Sequence, residues 1–195
     1  MPRKDFKLIS EWIQPNSSVL DLGCGDGSLL KLLIEKRNIR GYGIDTSVDK
    51  IIKSVNNNIN VINTNINHKL DYFSNKSFNY VILAQSLQVV ENPVGLIREM
   101  LRVGDEAIIS FPNMGYWKSR LYLFLKGKMP VTEELPHSWY STPNIHLCTI
   151  KDFKEMCNMN EFTIMEEVIN NRDNSNLSSN YFSNFFAESV IFRIK

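Results

Sequence analysis

Apolar side chains return at helical spacing over residues 6–12, stop at Pro15-Asn16-Ser17, and give way to a nearly unbroken apolar run at 18–22. This pattern predicts a helix, a turn and a first strand. Residues 28–37 carry leucines on one helical face, and the short glycine-bounded run at 40–45 predicts a second strand. A weaker helix over 48–56, a short strand at 61–62, a strong strand over 78–84, a helix over 93–101 that starts on Pro93, and a fifth strand over 107–111 continue the alternation. Strands separated by helices need crossover connections, and right-handed crossovers place helices on both faces of a parallel sheet. The predicted fold class is therefore α/β: a Rossmann-like, doubly wound, mostly parallel sheet.

After residue 111 the rhythm changes. A helix over 116–126, an irregular stretch to about 149 and a helix over 151–159 precede two β-like runs at 162–169 and 187–194, which pair as a C-terminal antiparallel hairpin. The polar, asparagine-rich stretch 170–184 between them lacks either hydrophobic period and is expected to be a mobile loop. The expectation is one domain over 1–195, with an inserted lid or partner segment at 112–150.

Composition narrows the class. At 195 residues and 43% hydrophobic, the chain suits a single core. Its 22 basic and 21 acidic side chains, a net charge of +1, create no field that would gather nucleic acid or a membrane surface. The basic start lacks an apolar signal core and no run of about eighteen apolar residues occurs, so a cytoplasmic protein is expected. Cys24, Cys148 and Cys157 form no CxxC pair and their odd number argues against a disulfide framework. His68, His137 and His146 lack metal-ligand spacing, and no metal is expected. Asparagine is frequent at 56–58, 63, 65 and 67, which reads as compositional drift.

Chemistry concentrates in Asp21-Leu22-Gly23-Cys24-Gly25-Asp26-Gly27, between the first strand and its helix. Glycines there let the backbone turn sharply and approach a ligand, which by itself says only nucleotide. The dinucleotide form of this turn spaces its glycines G-x-G-x-x-G, whereas the third glycine here comes one residue early. Asp21 and Asp26 would repel a pyrophosphate and attract the ammonium and sulfonium of S-adenosylmethionine (SAM). Asp45, ending the second strand, sits where an acid accepts bonds from ribose hydroxyls. The sequence thus points to SAM or S-adenosylhomocysteine.

VLDLGCGDGSLL and GYGID resemble the SAM motifs of class I methyltransferases. Four further stretches, YVILAQSLQVVENP, REMLRVGDEAIISFPNMGYWKSRL, GKMPVTEELPHSWYSTPNIHLCTIKDF and FFAE, resemble the MetW family of methionine-biosynthesis proteins over nearly the whole chain. The resemblance implies a bacterial cytoplasmic protein linked to methionine synthesis and to a homoserine O-acyltransferase partner. It places Asn65, with Ile66, where an acid usually faces adenine, and Asn79 where an aspartate is usual. Together with Gln85 at the mouth after the fourth strand, the expected cofactor residues are Asp21, Gly23, Cys24, Gly25, Gly27, Asp45, Asn65, Ile66 and Gln85.

No residue is identified as catalytic. Methyl transfer needs mainly proximity, and the Asn/Asp-Pro-Pro-aromatic motif of amine methyltransferases is missing. Phe111-Pro112-Asn113 follows the fifth strand and is read as a strand-ending turn. His137 and His146 are the plausible bases, with a structural role favoured for both. Tyr116, Trp117, Leu121, Phe124, Leu125, Trp139 and Tyr140 are large anchors suited to an interface, a lid or a core. Three functions follow: a SAM-responsive module acting with or regulating homoserine O-acyltransferase, a methyltransferase on a small metabolite, and RNA methylation, the last without any RNA-binding motif.

Overall fold

Near-continuous apolar runs make strands that must be covered on both faces. In the computed structural model, which describes residues 3–67, 70–132, 135–170 and 182–195, β1 (Ser18–Leu22), β2 (Arg40–Asp45), β3 (Asn60–Asn63), β4 (Phe78–Ala84) and β5 (Gly104–Pro112) run parallel. β6 (Ile164–Asn170) and β7 (Ser189–Ile194) pair antiparallel, and β7 inserts beside β5, giving the order β3-β2-β1-β4-β5-β7-β6. The C-terminal hairpin is as predicted, and β6 forms the edge.

Alternation along each strand sends successive side chains to opposite layers. Val19, Tyr80, Ile82 and Ile108 pack with Ile9 and Ile13 of α1 (Lys4–Trp12) and Leu29, Leu30 and Leu33 of α2 (Ser28–Arg37). Leu20, Leu22, Val81, Leu83, Ile109 and Phe111 pack with Leu96, Ile97 and Met100 of α4 (Pro93–Val103) and Phe153 and Cys157 of α6 (Ile150–Met159). α3 (Val48–Asn56) lies between β2 and β3 in the chain. α4 starts on Asn92, whose side chain accepts from Gly95 N, with Pro93 where a missing donor costs little. α6 starts on a Thr149–Asp152 capping box.

α5 (Trp117–Lys126) follows β5, which extends through Pro112. β5 ends at Pro112 and α6 begins at Ile150, the two ends of the segment expected to be a lid or partner insertion. A 3-10 turn at Leu87–Val89 and α7 (Ser183–Phe186) were not predicted, being too short to show a period. His68 and residues 171–181 of the asparagine-rich stretch lie outside the described residues. Part of the asparagine excess has a conformational use, since Asn16, Asn38 and Asn58 hold φ of 63°, 53° and 60°. Asparagine tolerates that left-handed region better than other branched or bulky residues.

Candidate functional site

The turn after β1 is fixed by the backbone of β2. Gly23 N and Cys24 N donate to Ile44 O at 2.7 and 2.9 Å, Gly25 N donates to Asp45 Oδ2 at 2.8 Å, and Ser54 Oγ donates to Gly25 O at 2.9 Å. Gly23 and Gly27 adopt φ of +73° and +75°, and a Cβ on either would stand 2.9 Å from a serine Oγ, that of Ser86 or of Ser54. Only glycine combines that dihedral with that clearance.

Two adjoining cavities open at the carboxyl ends of the strands, sharing Gly23, Lys50 and Ser86. The larger, about 570 Å³, is walled by Asp21, Gly23, Cys24, Gly25 and Gln85, with Arg3 and Phe6 of the N-terminal segment across from them. The smaller, about 310 Å³, holds Asp45, Asn65 and Ile66. Eight of the nine predicted residues therefore line one connected space. Gly27 lines neither cavity; it begins α2, packed on Ser54.

Asp21 is the unusual group. It follows the strand alternation to the α1 side, is 2% exposed, and its Oδ1 has no hydrogen-bond partner among the described residues. Burial pushes its carboxyl from the ordinary 3.8 to about 8; Arg3 opposes the rise, while Asp45 and Asp5 add to it. Arg3 is aimed by Asp5, with Nε to Oδ1 at 3.2 Å and Nη2 to Oδ2 at 2.5 Å, and its guanidinium lies 4.6 Å from the Phe6 ring centre.

The sequence and the fold have counterparts. A family model described as methionine biosynthesis protein MetW matches residues 3–194. The chain belongs to the MetW family. A bifunctional methionine biosynthesis protein MetXA/MetW from Rhodopirellula baltica is 38% identical over 173 residues, which are 84% of this chain and 28% of that one. The chain thus spans little more than a quarter of that relative. Among solved structures, a SAM-dependent methyltransferase from Mesorhizobium loti (14% identical, TM-score 0.67, 92% of this chain and 91% of that one) and another from Aquifex aeolicus (12%, 0.62, 98% and 88%) share its architecture. This MetW chain has the class I SAM-dependent methyltransferase fold.

Within this MetW site the two acids of the turn do different work. Asp26 is committed to α2: its Oδ1 accepts from Ser28 N at 3.1 Å and Ser28 Oγ at 2.6 Å, and the serine hydroxyl lowers its pKa. Asn65 Oδ1 accepts from Asn67 N at 2.9 Å. Asn79, which stands where the family usually has an aspartate, sits at the opposite end of the sheet, its Oδ1 accepting from Ser18 N and Oγ at 2.9 and 3.1 Å. It joins the starts of β1 and β4. Burial, then the nearby Asp21 and Asp45, push the Cys24 thiol up to about 12, so it packs as a neutral group.

His137 and His146 are exposed and line neither cavity; His146 Nε2 lies 3.4 Å from Glu91 O. Asn113, expected to sit in a simple strand-ending turn, is a buried junction: its side chain donates to Asn184 O and Ala187 O and accepts from Gly115 N. Sequence reasoning missed Arg3 and Ser54. They reach the site only through tertiary packing and carry no local motif, although Arg3 stands two residues before an acid at the start of an amphipathic helix.

Proposed function

We propose that the two cavities together bind SAM or S-adenosylhomocysteine, and that the bound nucleoside governs how the chain acts on homoserine O-acyltransferase. The buried Asp21 carboxyl carries the reading. Neutral at pH 7 in the free protein, it ionises when a cation comes beside it, and an ammonium–sulfonium ligand offers that cation where a pyrophosphate would not. Asp45 receives the ribose hydroxyls, Asn65 and Ile66 flank adenine, Gly23 and Gly25 let the ligand meet the backbone, and Gln85 stands at the mouth. Arg3 is the cation suited to the ligand's own carboxylate. The cavity volumes fall in the range of small-molecule sites.

Bound SAM supplies an electrophilic methyl group. The one lining thiol is held protonated, and the raised Asp21 carboxyl is given to the ligand's cation, which assigns the pocket a sensing role. A relative whose name joins MetXA and MetW in one chain supports a partner in the same biosynthesis. The second reading, methylation of a small metabolite, is favoured by the mouth at Gln85 and Ser86, since proximity alone accelerates such a transfer. We place the protein in the cytoplasm and treat the chain as one domain; among the described residues no helix is long and apolar enough to cross a membrane.

The test is to follow acylation by homoserine O-acyltransferase in the presence of the purified chain while SAM and S-adenosylhomocysteine are titrated. The expected result is a nucleoside-dependent change in rate that Asp45→Ala abolishes. No change in rate at saturating nucleoside overturns the regulatory reading, and release of S-adenosylhomocysteine from labelled SAM above a boiled control supports the second.

A further inference from the structure

α5 has its polarity reversed for a surface helix. At roughly 100° per residue, Trp117, Leu121, Phe124 and Leu125 fall on one stripe. Ser119, the buried residue of this helix, lies on the other side, against the body of the protein. The apolar stripe therefore points outward, with Phe124 85% and Leu125 65% exposed. Tyr122 and Leu123, on either side of Ser119, are less exposed, at 41% and 45%. A helix that buried this stripe in its own core would turn the serine to water, so the sequence is arranged for something outside the fold.

Neighbouring features extend the surface and give it a charge. The Arg120 guanidinium lies 5.8 Å from the ring centre of Phe185, so the half-exposed Phe185 and Phe186 of α7 continue the patch from the base of α5. Lys118 and Arg120 border the stripe, Lys126 and Lys128 stand at the C-terminal end of the helix, and no acidic residue occurs between Asn113 and Thr132. Two copies of this helix set face to face would oppose cations to cations. A flat anionic lipid surface and an acid-rimmed protein groove would each cover the stripe, and the joining of MetXA and MetW in one chain of a relative favours the groove.

We infer that α5 is a docking helix for an apolar groove with an acidic rim on the homoserine O-acyltransferase; this rests on the partner reading above and assigns the surface that makes the contact. The occurrence of MetXA and MetW in one chain of the relative fits a groove held permanently close to such a helix.

Calorimetry with the full chain and purified homoserine O-acyltransferase tests it. Phe124→Ser with Leu125→Ser should weaken the complex about 100-fold, as for a buried hot-spot pair. Lys126→Glu with Lys128→Glu should weaken it about tenfold, most at low salt. Both variants should bind SAM and unfold as the parent does. A parent complex that both variants form within twofold overturns the docking surface and leaves the partner reading intact. No complex with the parent chain overturns both, and in that case loss of phosphatidylserine vesicle binding or of a dimer in the serine variant reassigns the stripe.

Discussion

The turn at residues 21–27 and helix α5 are opposite solutions to holding side chains in place. The backbone of the turn is held inside the fold: two amides on Ile44 O, one on Asp45, one serine hydroxyl on Gly25 O. α5 buries a single serine and leaves its largest side chains in water. The first region is determined by the rest of the chain and so has a preformed shape for a small ligand. The second is determined only at its base, and its favourable contacts remain to be made elsewhere. Exposed apolar area beside a well-formed site therefore says more about association than about folding.

The largest effect that tests this contrast is at Gly27. An alanine there must hold φ +75° with its Cβ 2.9 Å from Ser54 Oγ and 3.0 Å from Ile59 Cγ1. Gly27→Ala is expected to cost about 2–3 kcal/mol in urea unfolding and to weaken SAM binding with it. Next comes Asp45→Ala, which removes both the ribose acceptor and the acceptor of Gly25 N; SAM affinity should fall about 100-fold by calorimetry. Asp45→Asn, keeping one acceptor, should lose about tenfold, and equal losses for the two variants would argue against a charged ribose contact.

Asp21 gives a smaller, pH-dependent effect. Because its carboxyl is raised in the fold from 3.8 to about 8, the native state keeps a proton that the unfolded chain has already released. Stability of the free protein should therefore fall as pH rises from about 4 to 8, by at most about 1.4 kcal/mol per pH unit, and Asp21→Asn should flatten that slope. SAM binding at pH 7 should release up to one proton, visible as a dependence of the measured heat on buffer ionisation enthalpy; no such dependence would place the ligand's cations away from Asp21. The smallest effect belongs to α5: Phe124→Ser and Leu125→Ser should change stability by less than about 0.5 kcal/mol, because neither side chain is packed.

The periodic parts of the chain were legible in advance. β1, α2, β2, α3 and β4 occupy the residues expected of them, because glycine, proline and asparagine punctuate strongly apolar runs. The glycine turn was legible for the same reason, its spacing being a local demand on φ. Arg3 and Ser54 were not, since Arg3 reaches the larger cavity and Ser54 the Gly25 carbonyl from other elements, and only the folded chain brings them together. Asp26 shows a further limit: a carboxylate two residues before a serine at a helix start has a local use that charge reasoning about a distant ligand passes over. Asn79 has a structural use, joining the starts of β1 and β4, that its place in a family pattern does not reveal.

Asn113 has a consequence for how such a chain changes over time. Its carboxamide oxygen accepts from Gly115 N at 2.9 Å and lies 3.3 Å from Ile150 N, while Met114 N donates to Cys148 O at 3.1 Å, so the departing and returning strands of the insertion are clasped at one point. A loop pinched at its neck is a cassette. Its contents can lengthen or shorten at a closure cost that grows only slowly with length, provided the amides of Ile145 and His146 keep their bonds to Gln88 O, beside the cavity-lining Val89.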